Sequence, residues 1–278
     1  MELSFKLPIS VTDNKKIYCK EFTNKHFIDL QKFIEFDSDT DTASFFDKIC
    51  YGLIDCDGNK IHVIDKFLTL LKVRCEYIDP VLSYSSSDGA SQALDINMLI
   101  ENIIEGYEKK FETFQVENIF YTIGPSTRIT KFDNVLNHIN SIKIDNEEID
   151  LGHIDINQKE EILNNIPCSH IPVIKDKVKN IKQKPIILFQ TFEKDKMKDN
   201  MFYFTNFEMF SFLKLCFSEG YENLFYYVYI FTTKLSTSYT DFLKYTPKET
   251  RKILKHYKKE MEEKNKQKEQ NTPPGINP

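Results

Sequence analysis

Residues 204–235, FTNFEMFSFLKLCFSEGYENLFYYVYIFTTKL, and 241–263, DFLKYTPKETRKILKHYKKEMEE, decide the fold. Thr205 precedes Glu208 at the spacing of a capping box, in which a hydroxyl accepts a first-turn N–H and a carboxylate reaches back to the N–H of the cap. A helix therefore starts at Thr205. Thr246-Pro247-Lys248-Glu249 repeats the signal, because proline at the first helical position gives up an N–H that has no intrahelical partner. Between them Ser218-Glu219-Gly220 interrupts the apolar run, and a glycine past a helix end accepts the left-handed geometry that closes it. The stretch predicts three or four helices. Phe207, Phe210, Leu213 and Phe217 share one face and Met209, Phe212 and Cys216 another, so the first helix is apolar nearly all round and reads as buried. Leu224, Val228, Phe231 and Leu235 form the stripe of the next, with Tyr221, Phe225 and Tyr229 beside it. Bounded by Glu222 and Lys234, it is too short to span a bilayer. Ile253, Leu254, Tyr257 and Met261 make a narrower stripe on the last helix. After it EEKNKQKEQ offers nothing to bury, and the helix is expected to fray into solvent.

A chain of 278 residues can bury a substantial core as one large or two smaller domains. With 41% hydrophobic and 28% charged residues its composition is that of an ordinary globular protein. A net charge of −5 gives no reason to expect general nucleic-acid binding. Met1 opens no charged-then-apolar leader and no long apolar run follows, so a secreted or membrane-spanning product is not expected. Cys19, Cys50, Cys56, Cys75, Cys168 and Cys216 are scattered through apolar patterns and read as reduced core thiols.

Working outward to the start of the chain, LSFKLPI alternates Leu3, Phe5 and Leu7, and KIYCKEF alternates Ile17 and Cys19, as two strands joined by a turn would. Thr23 opens a helix whose apolar residues are Phe27, Leu30, Phe33 and Ile34. After the acidic DSDTDT loop, Phe45, Phe46, Ile49, Cys50 and Leu53 predict a second helix. Asp57-Gly58 is a turn, and Val63, Phe67, Leu70 and Leu71 mark a third helix ending before Asp79-Pro80. From Val81 the texture changes: SYSSSDGASQ is small, polar and aperiodic, and reads as a loop. Strands are expected around residues 93–98 and 116–123. Phe132, Val135, Leu136 and Ile139 predict a short helix, Gln158 to Ile166 another closed by Pro167, and Ile186 to Phe192 a buried strand. No repeat period recurs.

The fold class is thus α+β, with an N-terminal β-hairpin and helices, a central strand-containing insertion and a C-terminal helical subdomain with a long terminal helix. The divisions fall at 1–80, 81–200 and 201–263, followed by a disordered tail over 264–278.

Motifs that carry chemistry are few. Asp37, Asp39 and Asp41 have the first spacing of a calcium loop, but Thr42 replaces its glycine and Lys48 its bidentate glutamate, so helix-capping acids are the better reading. Cys168-Ser169-His170, with His153 upstream, lacks the paired spacing of a zinc site and reads as a surface turn before Pro172. Gly124-Pro125-Ser126-Thr127 lacks the lysine and further glycines of a phosphate-binding loop and reads as a strand-ending turn. Neither a nucleophile elbow nor a dinucleotide fingerprint is present. These readings predict no enzyme, no metal and no cofactor. From Lys248 to Lys268 basic residues outnumber acidic ones. Arg251, Lys252, Lys255, Lys258 and Lys259 could present a strip to phosphates, or form the solvated face of an amphipathic helix that docks on a protein. Tyr226, Tyr227 and Tyr229 are more than one helix face can bury. Some are expected at a partner surface, against the alternative that they pack on the N-terminal half.

The pattern made by Leu224, Tyr226, Tyr227, Tyr229, Ser238, Asp241, Thr246, Pro247, Glu249 and Tyr257 resembles the baseplate hub and hub-assembly proteins of T-even-like contractile-tailed bacteriophages. Lys6-Leu7-Pro8, Lys20-Glu21-Phe22-Thr23 and Arg74-Cys75-Glu76 are similar to the start of that family, whereas residues 81–200 have no match in it. The resemblance implies a protein that helps build the hub, as structural part or chaperone, through contacts with hub or tape-measure proteins. It implies the host cytoplasm during assembly, or the tail baseplate of the virion. The partner-binding residues expected are Tyr226, Tyr227, Tyr229, Arg251, Lys255, Tyr257 and Lys258. A nucleic-acid-associated phage protein using the basic helix is the second reading and an unrecognised metalloenzyme the third.

Overall fold

The computed structural model describes residues 18–34, 49–50, 52–55, 63–85, 91–108, 110–127, 134–151, 154, 156–181, 184–193, 196–218 and 221–270. Helices and small antiparallel sheets share the chain, which is α+β. It begins with strand β1 (Tyr18–Cys19), helix α1 (Asn24–Ile34), strand β2 (Ile54–Asp55) and helix α2 (Val63–Tyr77). β1 pairs antiparallel with β2, Tyr18 opposite Asp55. The other strand of the expected hairpin, Leu3 to Leu7, lies outside the described residues, as do the DSDTDT loop and Asp57-Gly58.

α1 starts at Thr23 as its sequence predicts, but by a variant of the capping box. The Thr23 N–H donates to Nδ1 of His26 at 3.1 Å, so a neutral imidazole takes the place of the usual carboxylate. The next N–H groups, of Asn24 and Lys25, donate to the carbonyls of Tyr245 and Leu243 at 2.7 and 3.3 Å. The buried Asn24 side chain donates to the Phe242 carbonyl at 3.0 Å and to the Thr250 hydroxyl at 2.7 Å. These bonds satisfy donors that a helix start leaves open, and they tie the beginning of the described chain to its last helix.

α2 is buried along almost its whole length. It stops where expected, before Pro80, and Arg74 fixes its end. This buried guanidinium donates through Nε to the Cys216 carbonyl at 2.9 Å, through Nη2 to the Val81 carbonyl at 3.3 Å, and through Nη1 to the Asp79 carbonyl. One side chain so joins three segments.

The described ends of the expected loop SYSSSDGASQ are paired strands. Strands β3 (Val81–Ser85) and β4 (Ser91–Asp95) pair with Val81 opposite Asp95 and Ser85 opposite Ser91, while residues 86–90 lie outside the described residues. Leu82 faces Leu94 and both are buried, so this pair anchors serine-rich backbone that periodicity could not reveal. The strand expected over 93–98 likewise ends early. Asp95 accepts the Asn97 N–H at 2.8 Å and caps helix α3 (Ile96–Gly106), which buries Ile96, Leu99, Ile100 and Ile103 at helical spacing.

The single strand expected at 116–123 is two, β5 (Glu112–Val116) and β6 (Ile119–Ile123), turning at Glu117 with φ 55°. After a 3₁₀ turn (Val135–His138), where a helix was expected, Ile139 opens β7 (Ile139–Ile144). β7 turns at Asp145 (φ 54°) into β8 (Glu147–Asp150), and β5 to β8 form an antiparallel meander in chain order. Helices α4 (Ile156–Asn164) and α5 (Ile171–Asn180) follow, the first closing before Pro167 as expected, the second unforeseen. β9 (Ile186–Glu193) pairs with β10 (Lys196–Phe202); Ile187 is 43% exposed, which corrects the fully buried strand expected there.

The C-terminal part contains α6 (Asn206–Phe217), α7 (Tyr221–Tyr229), a π turn (Ile230–Lys234), α8 (Tyr239–Phe242) and α9 (Pro247–Gln270). Among the described residues most buried hydrophobic side chains fall in two clusters, with Ile230, Phe231 and Phe242 outside both. One runs from Phe22 to Tyr107 and resumes from Phe202 to Leu224; the other holds Tyr121, Ile123, Ile139, Ile142 and residues of α4 and α5. The first cluster crosses the divisions drawn at 80 and 200. The sheet and its two helices form the insertion between its halves.

Cys50, Cys75, Cys168 and Cys216 are thiols in no disulfide. Burial pushes the Cys216 thiol up to about 12 and the Cys75 thiol up to about 11, which keeps both protonated and poorly reactive. Cys168 is exposed and is no core thiol.

Candidate partner-binding surface

The helix starts that frame this surface form as predicted. The Glu208 N–H donates to the Thr205 hydroxyl at 3.2 Å. At α9 the box is complete: the Glu249 N–H donates to Thr246 Oγ1 at 3.2 Å and the Thr246 N–H to Glu249 Oε2 at 2.9 Å. Lys248 donates to the Glu76 carbonyl at 3.2 Å, so the first turn of α9 sits on the end of α2.

α6 packs Met209, Phe210, Phe212, Leu213, Cys216 and Phe217 into the first core but leaves Phe207 56% and Leu215 43% exposed. Its all-round apolar character is therefore only partly explained by burial. In α7 Leu224 is buried, and Phe231 just beyond it packs on Phe242 at 5.1 Å and Tyr245 at 5.7 Å between ring centroids. The opposite face is different. Phe225, Tyr226 and Tyr229 are 67, 57 and 52% exposed, and their spacing makes them neighbours on one side of the helix. Tyr227 instead packs against the first core, with its ring 6.4 Å from that of Tyr226. The three tyrosines thus divide: Tyr226 and Tyr229 face outward, Tyr227 faces inward.

The helix then widens. Leu235 N–H donates to the Ile230 carbonyl at 3.1 Å, while the Thr232 and Thr233 hydroxyls bond back to the Val228 and Tyr229 carbonyls at 2.8 and 2.6 Å. Ser236, with φ 53°, ends it in the left-handed region. Hydroxyls that compete for helix carbonyls favour such distortion.

On α9, Arg251 and Tyr257 are half-buried and Lys255 and Lys258 exposed; every residue from Lys258 to Gln267 is exposed. Arg251, Lys255 and Lys258 share one face by spacing. The helix continues past Glu263 to Gln270, which corrects the disordered tail over 264–270; residues 271–278 lie outside the described residues. Lys264 on Glu260 at 2.6 Å and Lys259 on Glu263 at 4.0 Å supply i,i+4 pairs where no side chain is buried. Sequence reading placed Phe225 beside the stripe without assigning it to the surface. Its signal was an aromatic residue outside the Leu224-Val228-Phe231 line.

Two of the other motifs fall within the described residues. His170 is buried rather than on a surface turn, with its Nδ1 2.8 Å from the Tyr121 hydroxyl. Its Nε2 lies 3.5 Å from the Glu117 carboxylate, without the alignment of a hydrogen bond. His153 and the acids at 37, 39 and 41 lie outside the described residues. Among the described residues no group of three His, Cys, Asp or Glu side chains is placed to hold a metal ion, and no helix is long and apolar enough to cross a membrane. In the Gly124 turn, the N–H groups of Gly124 and Thr127 donate to the His138 and Asn137 carbonyls at 2.9 and 2.8 Å. They are engaged with the protein's own backbone, unlike those of a phosphate cradle.

No protein-family model, curated protein or solved structure matches this chain.

Proposed function

We propose that this protein works by protein–protein contact, as an assembly or structural component of a contractile-tailed phage baseplate hub. The observation that carries the contact reading is the outward aromatic face of α7, Phe225, Tyr226 and Tyr229, backed by a buried face that holds the helix in place. Exposed aromatics on a fixed element supply binding area with little ordering entropy to lose. α9 adds a second surface, anchored at Thr246 and Lys248 and exposed over its distal half. The baseplate assignment rests on the sequence resemblance stated above. Its partners would be other hub or tape-measure proteins, met in the host cytoplasm during assembly.

The test is co-purification of the tagged protein from infected cells. Hub or tape-measure proteins are expected among its partners, and recovery of none would count against the assignment. The basic residues of α9 favour a second reading, contact with nucleic acid. That reading requires binding that falls steeply with salt; no binding of duplex or single-stranded DNA at low salt eliminates it.

A further inference from the structure

A cleft of about 730 Å³ opens between the two hydrophobic clusters, and none of its lining residues belongs to α7 or α9. Its size falls in the range of small-molecule sites, roughly 300–1,000 Å³. One wall is apolar: Ile64, Tyr107 and Phe204 line it beside the buried Met209. The other is α5, whose Val178 lies in the cleft while Lys175 and Lys179, one helical turn apart, stand exposed. Asp176 approaches Lys179 at 3.5 Å from an exposed position, and Lys175 stands exposed without an ion pair among the described residues. Among the described residues lining the cleft none is Asp or Glu, although the chain carries 42 acidic residues against 37 Lys and Arg. A local excess of cation against an overall deficit is the charge pattern that attracts an anion.

We infer that this cleft binds a small amphiphilic anion, a carboxylate, sulfonate or phosphate ester whose charged head sits at Lys175 and Lys179 and whose aromatic or aliphatic body lies against Tyr107, Phe204 and Met209. The turn at Gly124 closes one side. His138, which also lines the cleft, directs its Nδ1 to the Gly124 carbonyl at 3.0 Å; since a carbonyl only accepts, that nitrogen carries the proton. Because the Gly124 and Thr127 N–H groups donate to the His138 and Asn137 carbonyls, the charged head is met by the lysines. A ligand there touches both cores, so its binding resists their separation and raises the melting temperature by mass action.

The experiment uses the full chain with two fluorescent probes of like shape, the anionic 1-anilinonaphthalene-8-sulfonate and the uncharged N-phenyl-1-naphthylamine. The sulfonate should bind at one site about fivefold more tightly than the uncharged probe, the ratio that exposed charge pairs supply, and less so in high salt. Lys175→Met should remove that preference while leaving the uncharged probe's affinity and the thermal transition in place. Met209→Trp should fill the cleft and weaken both probes, whereas the double variant Phe225→Ser, Tyr226→Ser should change neither. Equal affinity for the two probes, an unchanged preference in Lys175→Met, or loss of binding in the Phe225 and Tyr226 variant would each overturn the assignment.

Discussion

Arg74 holds distant parts of this chain together, and His26 closes a helix start. Arg74 donates to carbonyls at Cys216, Asp79 and Val81 while itself buried, and burial lowers its pKa. Replacing it by methionine keeps much of the volume but leaves these acceptors without their charged donor, which should cost about 2–3 kcal/mol. Lysine should recover little, because an ammonium cannot reproduce the fork. Urea midpoints of the two variants check this. His26 makes stability depend on pH. Desolvation depresses its pKa, opposed by Asp29 and reinforced by Lys25, and the neutral Nδ1 is what accepts the Thr23 N–H. The folded state therefore binds protons less readily than the unfolded one. The cap's contribution, about 1 kcal/mol, is complete above the ordinary histidine value of 6.5 and is lost as pH falls through the folded pKa. Melting from pH 8 to about pH 5 should show the loss in wild type and not in His26→Gln, whose amide oxygen accepts at either pH. Thr23 was legible as a helix start. The histidine's part was not, since the capping-box rule looks for a carboxylate or amide.

At the scale of elements, what could be read was what is locally encoded. Thr205 with Glu208, and Thr246-Pro247 with Glu249, carry the whole instruction for a helix start within one turn, and both form. The β3–β4 hairpin does not work that way. Its serines take strand geometry because Leu82 and Leu94 are buried opposite each other, and that requirement lies in tertiary packing. β7 and β8 escaped for a related reason, their turn resting on Asp145 in a left-handed conformation without glycine. Ser236 is under the same strain at the end of the π turn. Ser236→Gly should therefore stabilise the protein by about 1 kcal/mol, seen as a raised melting temperature. α9 continues past the end of its apolar stripe as an exposed helix that carries the i,i+4 ion pairs Lys264–Glu260 and Lys259–Glu263. Truncation from Lys264 should leave the cooperative unfolding transition intact, and loss of that transition would mean the distal helix is part of the core.

For the molecule as a whole, two clusters decide how the chain is organised. The first joins its early helices to α6 and α7, and the second is contained in the meander with α4 and α5. The hydrophobic pattern of α6 and α7 announced a core there. It could not announce that the partner of that core is the first hundred residues, because pairing across such separations leaves no mark on a local period. The same limit applies to the cleft, whose walls come from segments far apart in sequence, and to the aromatic face, where periodicity gave too many aromatics for one side but not which would be left outside. Leu224 marks the boundary: it is 4% exposed, while its neighbours Phe225 and Tyr226 face solvent. Leu224→Asp should abolish cooperative folding by burying an unpaired charge. Serine at Phe225, Tyr226 and Tyr229 removes outward area and should leave stability within about 0.5 kcal/mol. That contrast makes the contact reading directly measurable, by quantifying the hub or tape-measure proteins co-purified from infected cells with wild type and with this triple serine variant, after confirming equal melting temperatures. Capture by the wild type and at least about a tenfold loss in the variant are expected of a central aromatic cluster; undiminished capture by the variant, or no tail protein with either, would contradict the contact reading.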